Sequence, residues 1–460
     1  MNVSQITLVP HLEAYKPGFF ESLRSLFYFL LPSESSFRDV SHVPDYTSAA
    51  VPAFFSLIFL ELILCLLRGR RTLRVNDTIT SLNAGVASRL IRLVSKRSIE
   101  LVLYINVYDR FRLFDLPWDS NYTWILSFIG MDFAYYWFHR LAHEVNIFWI
   151  SHQTHHSSED YNLATALRQS SLQGFVSMFI YLPNALFIPP SVHLVHSQVN
   201  ILFQFWIHTE LIDNLGPLEY ILNTPSHHRV HHGRNPYCID KNYAGALIIW
   251  DRMFGTFAAE RKEEDLAYGL VHPLNSFDPI YVQLGSLQSL CVRFWNTEGF
   301  WNKISVLVKG PGWSPGKPRC GDFNDLPQVE KPIIKHDPDV SSWISAYALV
   351  HYVGLVPLYD KLMLLRHTLS APSQALDVTI QMSTAMCMGF LFDKKPYAYF
   401  SELVRCLLIA TFFVTQQTDL EESHELPGIV VQGLQLLYLL SAFIWFLVLV
   451  MGDRDKGKLD

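Results

Sequence analysis

The chain has 460 residues, half of them hydrophobic and 14% aromatic, with only 17% charged, against about a quarter in soluble domains. That balance predicts a membrane protein. The net charge of −6 and the lack of a long basic tract give a nucleic-acid or acidic-polymer partner no electrostatic support.

In chain order, the opening MNVSQITLVPHLEAYKPGFF has no basic segment followed by an apolar one, so no cleaved signal peptide is expected and insertion falls to internal spans. The first, AAVPAFFSLIFLELILCLL at 49–67, is long enough to cross a bilayer and ends in RGRR at 68–71, which the positive-inside rule places in the cytosol. Weaker apolar stretches follow at 98–108 and 122–138, the second carrying Asp132; an acid at that depth is functional or faces protein. Residues 174–207 are interrupted by Pro183, Pro189 and Pro190, which predicts a hairpin of two short helices, spanning or re-entrant.

From about 216 to 342 the chain turns polar and rich in Gly and Pro, including KGPGWSPGKPR at 309–319, and reads as extramembrane. Four apolar runs close it, at 343–359, 375–393, 399–415 and 429–451. DKK at 393–395 and DRDKGK at 453–458 would then be cytosolic and QQTDLEESHELPG at 416–428 lumenal, with Lys361 and Arg366 as exceptions. The expected fold is an all-α, multi-pass membrane protein with a histidine-box two-metal site on its cytosolic face. Its expected parts are an N-terminal segment (1–48), a membrane-embedded catalytic domain (49–290), a Gly/Pro-rich loop region (291–342), and C-terminal spans with a cytosolic tail (343–460). The six cysteines stand singly, without the spacing of a disulfide scaffold or zinc ribbon.

Twelve of the nineteen histidines fall between His139 and His232. His139 and His143 are four apart; His152, His155 and His156 form HxxHH, as do His228, His231 and His232. On a helix each set shares one face. One straight helix would set His152 about 180° from His143, so a bend or a break is expected between Glu144 and Ser151. Eight imidazoles supply about four nitrogens to each of two metals. His208, in QFWIHTE, is a ninth candidate ligand, with Gln204 one turn earlier as a supporting partner. His227 sits beside the third box but off its face, suiting hydrogen bonding rather than ligation. Asp132, seven residues before His139, either receives the far N–H of a ligating imidazole or is a buried structural acid. Glu144 either orients a ligand or contacts a cofactor, or is an ordinary interfacial acid. Asn162, Asn242 and Asp251 suit turns and caps as well as they suit the site. His11, His42, His193, His196, His272, His336, His351, His367 and His424 are assigned nothing.

A zinc protease would need HExxH, whereas the first box is HRLAH, with Arg140 where the glutamate should be. A two-zinc hydrolase would usually keep a bridging carboxylate, and a zinc transporter would place its ligands within its spans. The boxes HxxxH, HxxHH and HxxHH in this order resemble those of the fatty acid hydroxylase superfamily of membrane non-haem di-iron enzymes. DFAYYWFHRLAHEVNIFWISHQTHHSSEDYNLATALRQS and NTPSHHRVHHGRNPYCIDKNYAGALIIWD resemble, within it, the glyceryl-ether monooxygenase family. The likeness runs from LPSESSF at 31–37 through KGPGWSPGKPR.

That resemblance implies O2-dependent hydroxylation of the alkyl carbon next to the ether oxygen of 1-O-alkylglycerols, with tetrahydrobiopterin supplying electrons. The product hemiacetal would collapse to a fatty aldehyde and a glycerol derivative. It also implies iron held by the eight box histidines, and a reduced pterin is then the cofactor that Glu144, in the cofactor-contact alternative above, would meet. The terminal KGKLD resembles a dilysine retrieval signal of endoplasmic reticulum membrane proteins, which acts only from a cytosolic tail. Alternatives are a sterol or fatty-acyl hydroxylase or desaturase fed by cytochrome b5 and, from another class, a histidine-rich metal-binding or transport protein.

Overall fold

The computed structural model describes residues 17–69, 73–94, 98–365, 368–415 and 426–456. Among them the regular structure is helical, with two isolated bridges, Leu222 to Leu247 and Gly233 to Tyr268. The chain divides into two compact units, one from Met1–Arg74, Ala84–Leu274 and Gln283–Lys335, the other from Val75–Asn83, Asn275–Val282 and His336–Asp460.

In the first unit, short helical turns precede α1 (Val51–Leu67). Pro52 sits in the first turn of α1, where no amide donor is needed, and Gly69 takes the left-handed conformation beyond its end. α2 (Val75–Val94), which belongs to this unit from Ala84 onward, and α3 (Ser98–Phe111) lead to α4 (Asn121–Glu144), opened by the Ser120 hydroxyl accepting from the Tyr122 amide at 3.2 Å. α4 stops because Val145 turns extended, with φ −133° and ψ 116°. The expected break after Glu144 is therefore present, and two single-turn helices follow, α5 (Asn146–Trp149) and α6 (Gln153–His156). The proline-broken stretch is a hairpin of α7 (Gln173–Tyr181) and α8 (Pro190–Trp206), joined through a 3-10 segment, Leu182–Leu186. α9 (Pro225–His232) carries the third box, and α10 (Ile249–Phe254) ends on left-handed Gly255.

Two further helices, α11 (Pro279–Asn296) and α12 (Phe300–Val308), run into the Gly/Pro-rich region expected to be loop from residue 291, the first crossing its start and the second lying within it. Leu290, Val306 and Trp313 bury together, and that apolar cluster overrides the local Gly and Pro content.

The second unit contains α13 (Ser342–Leu365), α14 (Ala371–Phe392), α15 (Ala398–Thr415) and α16 (Gly428–Lys456). Its core is built on Leu358, Phe392, Phe413, Tyr438 and Trp445. Polar groups bridge these helices: His351 Nε2 lies 2.9 Å from Ser441 Oγ, and Arg405 donates to Glu402 and to Thr384 Oγ1, the latter at 2.8 Å. Lys361, an exception to the charge rule, is a buried residue paired with Asp377 at 2.9 Å.

Among the described residues, five helical stretches are long and apolar enough to cross a membrane: Val40–Leu67, Ser342–Leu365, Ala371–Phe392, Ala398–Thr415 and Gly428–Met451. They present Phe55, Phe59, Leu436, Phe443 and Phe446 outward, side chains that lipid solvates better than water. The weaker stretches at 122–138 and 174–207 are not among the five. The 416–425 connection, Arg366 and the last four residues, which carry most of the dilysine motif, lie outside the described residues.

Candidate metal centre

Nine buried imidazoles converge in the first unit. They form two groups, His139, His143, His152, His156 and His231, and His155, His208, His228 and His232, with the ligand atoms of each group within 4.8 Å of one another. The last turns of α4 present His139 and His143; His152 precedes α6, which carries His155 and His156; α9 presents His228, His231 and His232. His208 follows α8, its amide donating to the Phe205 carbonyl at 3.2 Å. Each HxxHH box is split between the groups instead of serving one. Consecutive helical residues point about 100° apart, so His155 and His156 face different groups, as do His231 and His232. The division is five and four.

Burial holds all nine imidazoles below their ordinary pKa, His155 at about 4 and His231 at about 3. They are therefore neutral, with one N–H each. Four spend it on backbone carbonyls: His139 Nδ1 donates to Tyr243 at 2.7 Å, His155 to Arg168 at 3.1 Å, His208 to Gln204 at 2.6 Å and His231 to Lys241 at 2.9 Å. Their Nε2 atoms are then lone pairs aimed inward. His143, His231 and His232 each bury an Nε2 that has no hydrogen-bond partner. Converging lone pairs repel unless a cation lies between them, and an all-nitrogen donor set suits iron, zinc or copper. The residues present fit two metal ions.

The carbonyls that lock His139 and His231 belong to one loop. Asp240 and Asn242 both take φ 57°, an unusual conformation for non-glycine residues, which directs the carbonyls of Lys241 and Tyr243 to the imidazoles. The Asn242 side-chain Nδ2 donates to the carbonyls of His227 at 3.0 Å and Ala258 at 2.7 Å. Asp251 accepts from the Tyr243 and Ala244 amides, each at 2.8 Å. Asp132 accepts from the Ala246 amide at 2.7 Å, the Leu247 amide at 3.0 Å, Trp250 Nε1 at 2.9 Å and Asn200 Nδ2 at 2.9 Å. Asp132 thus reaches His139 through this loop and does not touch the imidazole. Gly245 fits because any Cβ there would lie 2.8 Å from Asp132 Oδ1.

Glu144 lies beside the five-histidine group and in neither, accepting from Arg140 Nε at 2.8 Å and facing the Tyr243 hydroxyl at 3.5 Å. Asp240 lies 3.7 Å from His143 Nδ1, and burial, then the nearby Glu144, pushes its carboxyl up to about 7. Gln204 supports His208 through its backbone carbonyl, while its side chain turns to Asn200. His227 faces Thr224 Oγ1 at 3.4 Å and Glu219 at 3.9 Å, and joins neither group. Asn162 caps a turn, accepting from the Ala164 amide at 3.0 Å.

Sequence reasoning passed over the four carbonyl acceptors, which carry no side-chain signature. It also passed over Arg229, whose guanidinium binds the carbonyls of Thr209, Ile212 and Asp213 at 2.7–3.1 Å, and over Glu61, an acid inside an apolar span.

Residues 124–256 match the fatty acid hydroxylase family model, and 344–425 match that of the alkylglycerol monooxygenase C-terminal domain. The chain is 53% identical over 394 residues to alkylglycerol monooxygenase of Homo sapiens, covering 85% of this chain and 88% of that one. It is 38% identical to alkylglycerol monooxygenase of Caenorhabditis elegans, over 85% and 81%. A more distant relative, ornithine lipid hydroxylase OlsE of Rhizobium tropici, is 29% identical over 30% of this chain. No solved structure matches. A histidine-rich helical centre in a membrane protein and likeness at this level over 85% of the chain lead to one conclusion: the chain is an enzyme of the alkylglycerol monooxygenase family, among the fatty acid hydroxylases.

Proposed function

We propose that this chain hydroxylates the alkyl carbon next to the ether oxygen of 1-O-alkylglycerols, using O2, two iron ions and tetrahydrobiopterin as electron donor. The observation that carries the metal half of this reading is the pair of adjacent groups of neutral, inward-facing imidazoles. The substrate half rests on the family, whose named members are monooxygenases of alkylglycerols.

In balance, one ether C–H, O2, two electrons and two protons give a hemiacetal and water. The two ions would supply the redox chemistry that activates O2. The chain's own part is to keep nine imidazoles neutral by burial, to orient four of them through the carbonyls of Tyr243, Arg168, Gln204 and Lys241, and to bring the centre next to lipid. Glu144, backed by Arg140 and beside Tyr243, is the proposed contact for the reduced pterin. Collapse of the hemiacetal needs only a proton moved from hydroxyl to ether oxygen. Residues 49–290 are proposed as the catalytic domain of an endoplasmic reticulum membrane protein, with active site and C-terminus cytosolic.

The test is incubation of membranes containing the protein with a 1-O-alkylglycerol, O2 and tetrahydrobiopterin, followed by an assay for fatty aldehyde. Aldehyde that requires pterin and vanishes in His152→Ala supports the reading; absence of aldehyde from iron-loaded protein would refute the substrate or the donor.

A further inference from the structure

We infer that Glu61, inside the first apolar span, is a positioning residue that seats the four-histidine group, His155, His208, His228 and His232. Glu61 is 3% exposed in a helix otherwise reading VPAFFSLIFLELILCLL. A carboxylate in such a helix is costly and is retained where it has a specific partner. Its two oxygens are both engaged. Oε2 accepts from the Leu163 amide at 2.8 Å, and Oε1 accepts from Thr209 Oγ1 at 2.5 Å.

Those partners belong to two ligand-bearing segments of the same group. Thr209 is bonded to His208, on an irregular stretch past the end of α8. Leu163 opens the turn that leads to Arg168, whose carbonyl fixes His155. The Thr209 hydroxyl also accepts from the Leu211 amide at 3.2 Å, and Arg68, at the end of the same span, reaches the Leu211 carbonyl at 3.4 Å. One side chain therefore ties α1 to the mount of His208, a ligand of the four-histidine group, and to the turn whose Arg168 carbonyl fixes His155 of the same group.

This inference rests on the two-metal reading, and the test separates them. Full-length protein in detergent is loaded anaerobically with Fe(II), and the metal bound per chain is counted alongside thermal unfolding. Wild type should hold two equivalents, one for each group; fewer would overturn the two-metal reading itself and this inference with it. Glu61→Ala and Thr209→Val should keep one equivalent tight and weaken the other by about 10- to 100-fold, the usual effect of losing support behind a ligand. Glu61→Gln should restore the second equivalent, because its amide can still accept from Leu163 and donate to the Thr209 oxygen. Two tight equivalents in Thr209→Val, or equal loss of both, would overturn the inference. Thr209→Val removes only a hydroxyl and decides the matter should Glu61→Ala not fold.

Discussion

His155 and His208 present their Nε2 atoms to each other across 3.2 Å, while each donates its Nδ1 proton to a carbonyl, Arg168 at 3.1 Å and Gln204 at 2.6 Å. Neither can hydrogen-bond the other, so the contact is stable only with a positive charge shared between them. Acid supplies one in the wrong way. The buried imidazoles have lowered pKa values, about 4 for His155 and about 3 for His231 against an ordinary 6.5. Below about 6.5 the unfolded chain therefore binds protons that the folded chain refuses, and stability present above that pH drains away as pH falls towards 4. Melts of chelator-treated protein between about pH 8 and 5 should show the melting temperature falling on the acid side, with bound metal protecting. A flat profile would contradict the neutral-imidazole assignment.

Asp132→Ala strands four donors, the amides of Ala246 and Leu247, the indole of Trp250 and the side-chain amide of Asn200. An unsatisfied buried donor costs roughly 1–3 kcal/mol, so the variant should unfold many degrees lower. Trp250→Phe, removing one donor together with its need, should lose far less. Chemical denaturation of both in detergent compares them.

His227 and His228 are neighbours with opposite expectations. His228 Nε2 faces His208 at 3.1 Å, whereas His227 turns to Thr224 and Glu219. His228→Ala should abolish aldehyde formation and release a metal ion; His227→Ala should keep both ions and most activity. Metal analysis with a turnover assay tests the pair.

Glu144→Gln should leave metal content unchanged, because the carboxylate touches Arg140 and Tyr243 and no imidazole. If it holds the reduced pterin, half-saturation by pterin should rise by about tenfold or more, the scale of one lost charge-assisted hydrogen bond. Loss of metal instead would make Glu144 a support for the ligands.

In the second unit, removing one partner of the buried Lys361–Asp377 pair leaves an uncompensated charge, which costs roughly 3–5 kcal/mol. Lys361→Met should therefore be more destabilising than the double change Lys361→Met with Asp377→Leu. Thermal unfolding of the single and double variants decides.

The convergence of the eight box histidines was legible because the chain sets histidines at i and i+4 once and at i, i+3 and i+4 twice. The break after Glu144 was legible too, since a continuous helix would aim His143 and His152 apart. How the boxes divide was not, because α6 is a single turn and spacing alone does not say which of two centres each imidazole faces. The helices α11 and α12 were hidden by Gly and Pro nearby, although Leu290, Val306 and Trp313 decide their fold. Glu61 left a signal, one acid in an apolar run, whose partners Leu163 and Thr209 lie about a hundred or more residues away in sequence and become visible only in three dimensions.

Two peptide bonds, His155–His156 and His231–His232, each join a ligand of one group to a ligand of the other. Adjacent Cα atoms are held about 3.8 Å apart by covalent geometry. The spacing of the two histidine groups is thus gauged by two covalent calipers that loosening of the surrounding helices does not spread, so the pair of groups keeps its own width even where the helices around it soften.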